Sequence, residues 1–448
     1  MTELLSAAAP TQGTSPEEAA GRSRFAWWLG VITVAALAGR IVYMLWYYDG
    51  HPKVGTAGDP YYYHVQANFL ADGRWFVSPF IWREFDRFVP SAYHPPLYSA
   101  YLGLWSVLGA TSRLWHLFAS VLLGTATVGV VGLFGREMAG ERIGLAAAAV
   151  AALNPSLWVN DALLMSESLF ALTLAVSFWA AYRYRNHPTT RGAVVLSAAV
   201  ALASLTRGEA VLLYLFLALP LVLSGVTGGW QDRLRRLGAM GVAAGLLIGP
   251  WVVFNAVRFH AFVPMTTSTG DLVAFANCDT TYYGTFVGLW DFKCLDGIPR
   301  SGDEVLDDRR GRELGLGYAR DHLGRLPVVL MARVGRTFEV FRPGQSVRYN
   351  AFIEQRGEAV SRAGQWSFWL LGALSLVGLA ELRRRGRTLV PPLSAVGLVV
   401  ASSVTAYGFV RLRLPVDVMV CALAPLGIAG LHHRFRSPPP SAAEGGTA

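Results

Sequence analysis

Long apolar runs alternate along the chain with short Arg-rich segments, and two longer polar segments interrupt this pattern. A helix needs about 20 apolar residues to cross a bilayer, and backbone polar groups have no water partner inside lipid, so each run should be helical. We predict ten spans, near residues 25–48, 113–135, 143–159, 162–182, 193–207, 209–226, 238–257, 365–381, 389–410 and 414–431. The pattern therefore predicts an all-α polytopic membrane protein.

The positions of arginine give these spans a direction. Arg22 and Arg24 precede the first span, and the short connections after the second, fourth, sixth and eighth spans also carry arginine. The positive-inside rule places such segments in the cytoplasm, which puts both termini inside. Counting His94–Ala110 as a further span would invert all of these connections. We therefore expect it to be an interfacial or re-entrant helix of a multi-pass plasma-membrane protein.

Two long segments, 49–112 and 258–364, then lie on the same outer face. Within the second, Tyr318–Arg342 mixes arginine with apolar residues, which predicts one helix lying on the membrane surface. The domain organisation expected from this is a disordered cytoplasmic N-terminus, a transmembrane catalytic module containing the first loop, the second extracytoplasmic loop, C-terminal transmembrane helices and a cytoplasmic tail, with boundaries at 1–24, 25–257, 258–364, 365–433 and 434–448.

Composition supports membrane spans rather than a large soluble core. The chain is 53% hydrophobic and 15% charged, whereas a soluble domain has about 25% charged residues. Its formal charge of +9 comes almost entirely from arginine. This bias fits either genomic base composition or phosphate binding, since arginine can hold phosphate through two parallel hydrogen bonds. The expected anionic partners are lipid headgroups, because no nucleic-acid-binding motif is present.

Two of the three cysteines, Cys278 and Cys294, lie in the second outer segment. Outside the cytoplasm a disulfide between them is permitted, and two free thiols are the alternative. Their spacing does not match a zinc site. Cys421 lies in an apolar run, which is typical of inert packing.

The first outer segment carries candidate chemistry directly after a membrane exit. Asp59 stands in the sequence Gly-Asp-Pro-Tyr-Tyr-Tyr-His, and a partly desolvated Asp has a raised pKa and is a better base. The alternative is that Gly-Asp-Pro is only a turn. His64 closes this motif, and His94 lies further along. Each could bind phosphate or support the local backbone.

Ionisable residues inside or beside the spans indicate a functional site, because their burial in lipid is costly. They all fall on the face that carries the long loops, and they are Asp161, Glu167, Arg207, Glu209, Arg258 and Arg411. The opposing interpretation is that Arg207 and Glu167 only neutralise each other. Arg411 could bind a lipid-linked phosphate or extend to lipid headgroups.

In their order along the chain, these motifs resemble the GT-C glycosyltransferases. The residues that carry the resemblance are Asp59 with YYYHVQANFLADG, HPPLY at 94–98, LLMSESLF at 163–170, TRGEA at 206–210 and RLRLP at 411–415. The pattern is most similar to protein O-mannosyltransferases and to the aminoarabinose transferases that modify lipid A. It extends over about residues 25 to 435.

The resemblance implies an inverting transfer from a polyprenyl-phosphate sugar to a glycan, glycolipid or protein hydroxyl. Asp59 would be the general base, and Glu167, ahead of Asp161, would match the acidic residue of the second outer loop. Asp59 is followed by Pro60, whereas the mannosyltransferases carry adjacent acidic residues. No DxD-type pair is present, so no metal is predicted, although a divalent ion stays an open alternative.

Three other functions are compatible with parts of the sequence. A transporter or lipid flippase would place charges near the midplane and show broken helices in related halves. A scaffold would need none of the charged residues. An O-antigen-ligase-like transferase would use a diphosphate lipid donor and depend more on arginines of the second loop.

Overall fold

The computed structural model describes residues 16–51, 55–224 and 229–436. Within these ranges every regular element is a helix, and the strand-like pairing is limited to one isolated bridge between Val77 and Pro90. The predicted all-α class is confirmed.

Helices of the N-terminal half include the first outer segment and most of the apolar runs. They are α1 (Pro16–Gly50), α2 (Gly58–Ala71), α3 (Pro79–Phe85), α4 (Pro96–Val107), α5 (Arg113–Ala139), α6 (Glu141–Leu153), α7 (Pro155–Trp158), α8 (Glu167–Asn186), α9 (Thr190–Thr206), α10 (Leu219–Ser224) and α11 (Trp230–Phe259).

The remaining helices form the second outer segment and the C-terminal spans. They are α12 (Thr269–Phe275), α13 (Asp279–Tyr282), α14 (Glu304–Asp321), α15 (Leu326–Thr337), α16 (Pro343–Ile353), α17 (Glu358–Arg384), α18 (Val390–Thr405) and α19 (Leu414–Arg436). Short 3₁₀ and π turns join several of them, notably Gly208–Val211, Tyr214–Ala218 and Val410–Arg413.

Five helical stretches are long and apolar enough to cross a membrane, and they are Ser23–Gly50, Arg113–Ala139, Trp230–Phe259, Glu358–Arg384 and Val410–Phe435. A bent pair, Glu141–Leu153 with Pro155–Ala162, is either a broken sixth span or a re-entrant loop. Three shorter apolar helices also coincide with predicted spans. The chain is therefore multi-pass, while the number ten stays a prediction. Helix α4 has 12 residues, a length of about 18 Å, which is too short to cross a hydrocarbon core of about 30 Å.

The third and fourth predicted spans meet at a buried break. Helix α6 ends at Leu153, and the next segment bends by 58° because Asn154 caps a new turn whose first residue is Pro155. Proline lacks the N–H that would continue the preceding helix. As a result α8, which corresponds to the predicted span 162–182, begins at Glu167, five residues later than predicted.

Two other predicted boundaries differ from the structure. Residues 16–24, predicted to be disordered, belong to α1, while 1–15 lie outside the described residues. The single surface helix predicted over 318–342 is wrong, because the segment divides into the end of α14 and the separate helix α15. Helix α14 ends at Asp321, and Pro327 occupies the first turn of α15. The predicted tail is described only to Arg436.

Helix α19 lies at the centre of the bundle and packs against α17, α6 and α8. The apolar windows of α1 and α11, in contrast, are only 17% buried and are left to face lipid. The close crossing of α17 and α19 depends on glycine, because a Cβ at Gly378 would overlap the carbonyl oxygen of Leu423, and one at Gly427 would overlap that of Leu374. Small residues allow such approach between membrane helices.

We expect Gly378→Ala to destabilise the protein by about 1–3 kcal/mol, the usual cost of overpacking a tight contact. The new Cβ would overlap backbone atoms of α19, which cannot move aside as the end of a flexible side chain can. The measurement is thermal unfolding of the purified protein in detergent. Gly372→Ala is the matched control on the same helix, because its Cβ would meet nothing within 4 Å. Equal melting temperatures for the two variants would contradict the prediction.

Candidate active site

Asp59 lies in the first turn of α2, where the chain enters the helix through Gly58 at a positive φ of 60°. A helix N-terminus favours a negative side chain. The carboxylate is 26% exposed, with one oxygen 3.4 Å from His94 Nε2 and the other 3.3 Å from two nitrogens of Arg411. The Asp59 carboxylate is thus accessible to a substrate, with His94 at one oxygen and Arg411 at the other.

Glu167 lies in the first turn of α8 and is 1% exposed. Its Oε1 accepts hydrogen bonds from Arg207 Nη1 at 2.9 Å and from Arg411 Nε at 2.8 Å. Its second oxygen, Oε2, has no hydrogen-bond partner among the described residues. One carboxylate oxygen therefore joins two arginines that are far apart in sequence.

Arg411 connects three carboxylates. Besides Asp59 and Glu167, it lies 3.3 Å from Glu354 Oε1, and Arg207 binds Glu209 at 2.7 Å. We call Asp59, Glu167, Glu354, Arg207 and Arg411 the carboxylate–arginine cluster. Its members come from α2, α8, the turn after α9, the segment after α16 and the turn before α19. The fold gathers at one place groups that were predicted to share a face.

Aromatic rings fix the position of His94. It stacks on Tyr63 with ring centroids 4.7 Å apart, and Tyr62 contacts its edge at 4.9 Å. Tyr62 and Tyr63 are both buried. The Tyr-Tyr-Tyr sequence after Asp59 therefore forms a packed wall that orients the histidine toward the carboxylate.

The charges around Asp59 reverse the pKa shift expected from the sequence. Burial favours the neutral acid, but His94 and the Arg411 guanidinium favour the carboxylate more strongly and hold the pKa of Asp59 below its usual range. The predicted raised pKa is wrong, because the sequence did not show which cations would contact Asp59. Asp59 is ionised throughout the physiological range.

Three other predicted residues are engaged elsewhere. Asp161 forms a buried ion pair with Arg40 and accepts a 2.6 Å hydrogen bond from Ser168. Arg258 donates to the backbone carbonyls of Phe76 and Ser91 at 2.7 and 3.2 Å. These contacts join helices and loops, and both residues lie apart from the carboxylate–arginine cluster.

His64 is the third. Its Nδ1 lies 3.0 Å from Nδ1 of His116, whose Nε2 lies 2.9 Å from Ser106. Burial and the nearby charge of Arg113 lower the pKa of His64 to about 4, so it is neutral at pH 7. A neutral imidazole that is already in contact with His116 carries no positive charge with which to bind a phosphate, as had been predicted for His64.

Sequence reasoning missed Glu354 and Arg356, which contribute to the site and its surroundings, and Arg40. Arg40 carried a usable signal, because an arginine inside an apolar span requires a partner. Glu354 and Arg356 stand in a polar stretch of a long loop, where a charged residue is ordinary. Only the approach of this loop to Arg411 distinguishes Glu354.

Cys278 and Cys294 are joined by a disulfide, with Cα atoms 5.5 Å apart. It closes a loop whose backbone carbonyls at Thr285 and Val287 accept hydrogen bonds from the buried Arg336. Several arginines of the second outer segment thus hold its backbone together.

The cluster as it stands does not fit a bound metal. Among the described residues, no three His, Cys, Asp or Glu side chains are placed to hold a metal ion. The Arg411 guanidinium contacts the carboxylates of both Asp59 and Glu167 and supplies the positive charge between them. We therefore derive no step through a metal.

Residues 93–254 match a protein-family model described as dolichyl-phosphate-mannose-protein mannosyltransferase. The fold is similar to that of the archaeal oligosaccharyltransferase AglB from Archaeoglobus fulgidus in complex with an inhibitory peptide and a dolichol-phosphate, with a TM-score of 0.53 and 14% identity, covering 91% of this chain and 51% of that one. A second structure of the A. fulgidus oligosaccharyltransferase, tethered to an acceptor peptide, is similar with a TM-score of 0.52 and 16% sequence identity. The match covers 91% of this chain and 50% of that one.

The chain thus spans about half the length of these archaeal proteins, and at this identity the likeness concerns the fold. No curated protein sequence matches the chain. The family-model match over residues 93–254 confirms the predicted resemblance to protein O-mannosyltransferases, and the archaeal structures support the fold.

Proposed function

We propose that the protein is an inverting glycosyltransferase that transfers a sugar from a polyprenyl-phosphate lipid to an acceptor hydroxyl outside the cytoplasm. The observation that carries the proposal is the convergence of Asp59, Glu167, Arg207 and Arg411 from separate parts of the chain into one ion-pair cluster. The family-model match supports the same donor class.

In the proposed reaction the acceptor oxygen attacks the anomeric carbon while Asp59 accepts the hydroxyl proton. The bond between the anomeric carbon and the phosphate oxygen breaks, and the phosphate leaves with the bonding electron pair. Direct displacement on the face opposite the leaving group inverts the anomeric carbon.

The resting cluster keeps Asp59 a weak base, because Arg411 stabilises the carboxylate form. A donor phosphate near Arg411 competes with Asp59 for the guanidinium. Losing that contact raises the proton affinity of Asp59, so the base becomes stronger when the donor is present. Glu167, which binds both Arg207 and Arg411, positions the two arginines.

The proposal is tested with the purified full-length protein, a radiolabelled polyprenyl-phosphate sugar and an envelope glycan fraction as acceptor. We expect label to move from the lipid to the acceptor. In parallel, proteoliposomes are assayed for movement of the labelled lipid between leaflets. Movement without any sugar transfer would favour the flippase alternative and overturn the proposal.

The proposed orientation places the Cys278–Cys294 disulfide outside the cytoplasm, where it persists. We expect Cys278→Ser to free Cys294 for a membrane-impermeant maleimide added to intact cells. The control is the Cys278→Ser/Cys294→Ser double variant, in which Cys421 is the remaining cysteine. Because Cys421 is buried in the bundle, this variant should stay unlabelled. Labelling of Cys294 only after the cells are opened would place the loop inside.

A further inference from the structure

Residues 91–94, which lead into α4 and end at His94, are held by contacts from several parts of the chain. The Tyr62 hydroxyl lies 2.9 Å from Ser91 Oγ, and Arg258 donates to the Ser91 carbonyl at 3.2 Å. Ser91 is fully buried. A buried backbone outside a helix or strand needs a partner for each polar group, so these contacts fix the path of the chain toward His94.

The second outer segment supplies a carboxylate to the same stretch. Glu304 is the first residue of α14, and its Oε2 accepts hydrogen bonds from the buried Ala92 N–H at 2.9 Å and from Thr267 Oγ1 at 2.5 Å. The Thr267 N–H in turn donates to the Ala92 carbonyl at 2.9 Å. Glu304 therefore joins two segments that are 212 positions apart, and it satisfies a buried backbone donor whose loss of a partner would be costly.

Helix α14 packs closely against α12. The Gly270 N–H donates to Asp308 Oδ1 at 2.5 Å. A Cβ at Gly270 would overlap the carbonyl oxygen of Asp308, and one at Gly311 would overlap that of Gly270. Because the two backbones are in direct contact, Glu304 projects from a well-supported pair of helices rather than from a free loop, and such support gives a contact its precision.

The position of His94 beside Asp59 depends on this stretch. His94 Nε2 lies 3.4 Å from Asp59 Oδ1, and Ala92 is two residues before His94. A shift of the Ala92 backbone therefore moves the imidazole relative to the carboxylate that is the proposed base. A misplacement of about 1 Å at a reacting group can reduce the rate about 10²-fold.

We propose that Glu304 is a positioning residue, which docks the second outer segment on residues 91–94 and so sets the distance between His94 and Asp59. It acts through the Ala92 backbone, and the contact requires its acceptor oxygen rather than its charge. The effect on sugar transfer rests on the proposed function, whereas the docking contact is independent of it.

The direct readout is deuterium exchange of the Ala92 amide in the full-length protein in detergent. We expect Glu304→Ala to accelerate this exchange about 10-fold or more, as for the loss of a hydrogen bond to a charged group. The same variant should lower kcat for sugar transfer about 10- to 100-fold. KM for the polyprenyl-phosphate sugar should stay nearly unchanged, because the substitution displaces the base rather than a group that contacts the donor.

Glu304→Gln is the conservative variant. It keeps an oxygen that can accept from Ala92 and Thr267, so we expect kcat and Ala92 exchange within about three-fold of the unmodified protein. Burial raises the pKa of Glu304, which means that folding disfavours its ionised form. The neutral amide should therefore melt at the same temperature or higher.

Two further variants separate positioning from folding. Thr267→Val removes one donor to Glu304 with little change of shape, and we expect it to lower kcat about 2- to 10-fold. This variant decides the question if Glu304→Ala does not fold. Asp307→Ala is the matched control, because Asp307 lies in the same first turn of α14 but accepts from Ser301 within its own segment. It should leave kcat and Ala92 exchange unchanged.

An unchanged kcat in Glu304→Ala, or in Thr267→Val if the former does not fold, would overturn the proposal. Equal losses of kcat in Glu304→Ala and Asp307→Ala would also overturn it, as would equal losses in Glu304→Ala and Glu304→Gln. If Ala92 exchange responds as expected but the unmodified protein transfers no sugar, the proposed function fails and the docking contact stands.

Discussion

Replacement of Asp59 by Asn is expected to reduce sugar transfer by about 10²- to 10⁴-fold, the usual contribution of a general base. Asn has nearly the same shape, but it cannot accept the acceptor's proton. Arg411 keeps Glu167 and Glu354 as partners, so the cluster should stay assembled. The measurement is kcat/KM for transfer from a polyprenyl-phosphate sugar. Asp72→Asn, an exposed carboxylate just after the same helix, is the matched control.

The pH dependence sharpens this prediction. Since the pKa of Asp59 in the free protein lies below its usual range, its ionisation should not limit kcat/KM anywhere between pH 5 and 8. The lowered pKa also stabilises the fold. That stabilisation is complete above the unfolded value, about 3.9, and is lost as pH falls through the folded pKa. Full activity of Asp59→Asn, or an acid limb near neutral pH that disappears in this variant, would contradict the assignment.

The replacement Glu167→Gln is expected to lower both stability and transfer. Glu167 is the shared partner of two buried arginines, and removal of one partner from a buried ion pair costs about 3–5 kcal/mol. Transfer by the surviving folded protein should also fall, because Arg411 would no longer be held beside Asp59. Thermal unfolding in detergent and kcat/KM, normalised to folded protein, measure the two effects.

A nearby carboxylate provides the matched control. Glu209 also pairs with Arg207, but it is 27% exposed, and within the described ranges it forms an ion pair with that arginine alone. We expect Glu209→Gln to lower the free energy of unfolding by well under half of the loss caused by Glu167→Gln, since solvent compensates for an exposed charge. Glu167→Asp should recover part of the stability by restoring the charge. Equal losses for Glu167→Gln and Glu209→Gln would show that the shared contact is unimportant.

The sequence also placed several site residues in the right neighbourhood without showing their contacts. Glu167 and Arg207 stood out because charges beside apolar spans are costly, and the structure pairs them directly, as the neutralising interpretation required. Glu167 also contacts Arg411, which in turn contacts Asp59. The Glu167–Arg207 ion pair is therefore part of the candidate site. Asp161 was the second candidate after Glu167 in the sequence analysis, and the bend at Pro155 leaves it against Arg40 instead.

By itself the sequence determined the helical class and the positions of most apolar helices, because these follow from local hydropathy and helix length. Tertiary structure alone decided that Arg411 would lie between Asp59 and Glu167, that the pKa of Asp59 would fall rather than rise, and that Glu354 would join the cluster. These features depend on distances between residues up to about 350 positions apart. Charge interactions change steeply with such distances, and local sequence patterns carry no information about them.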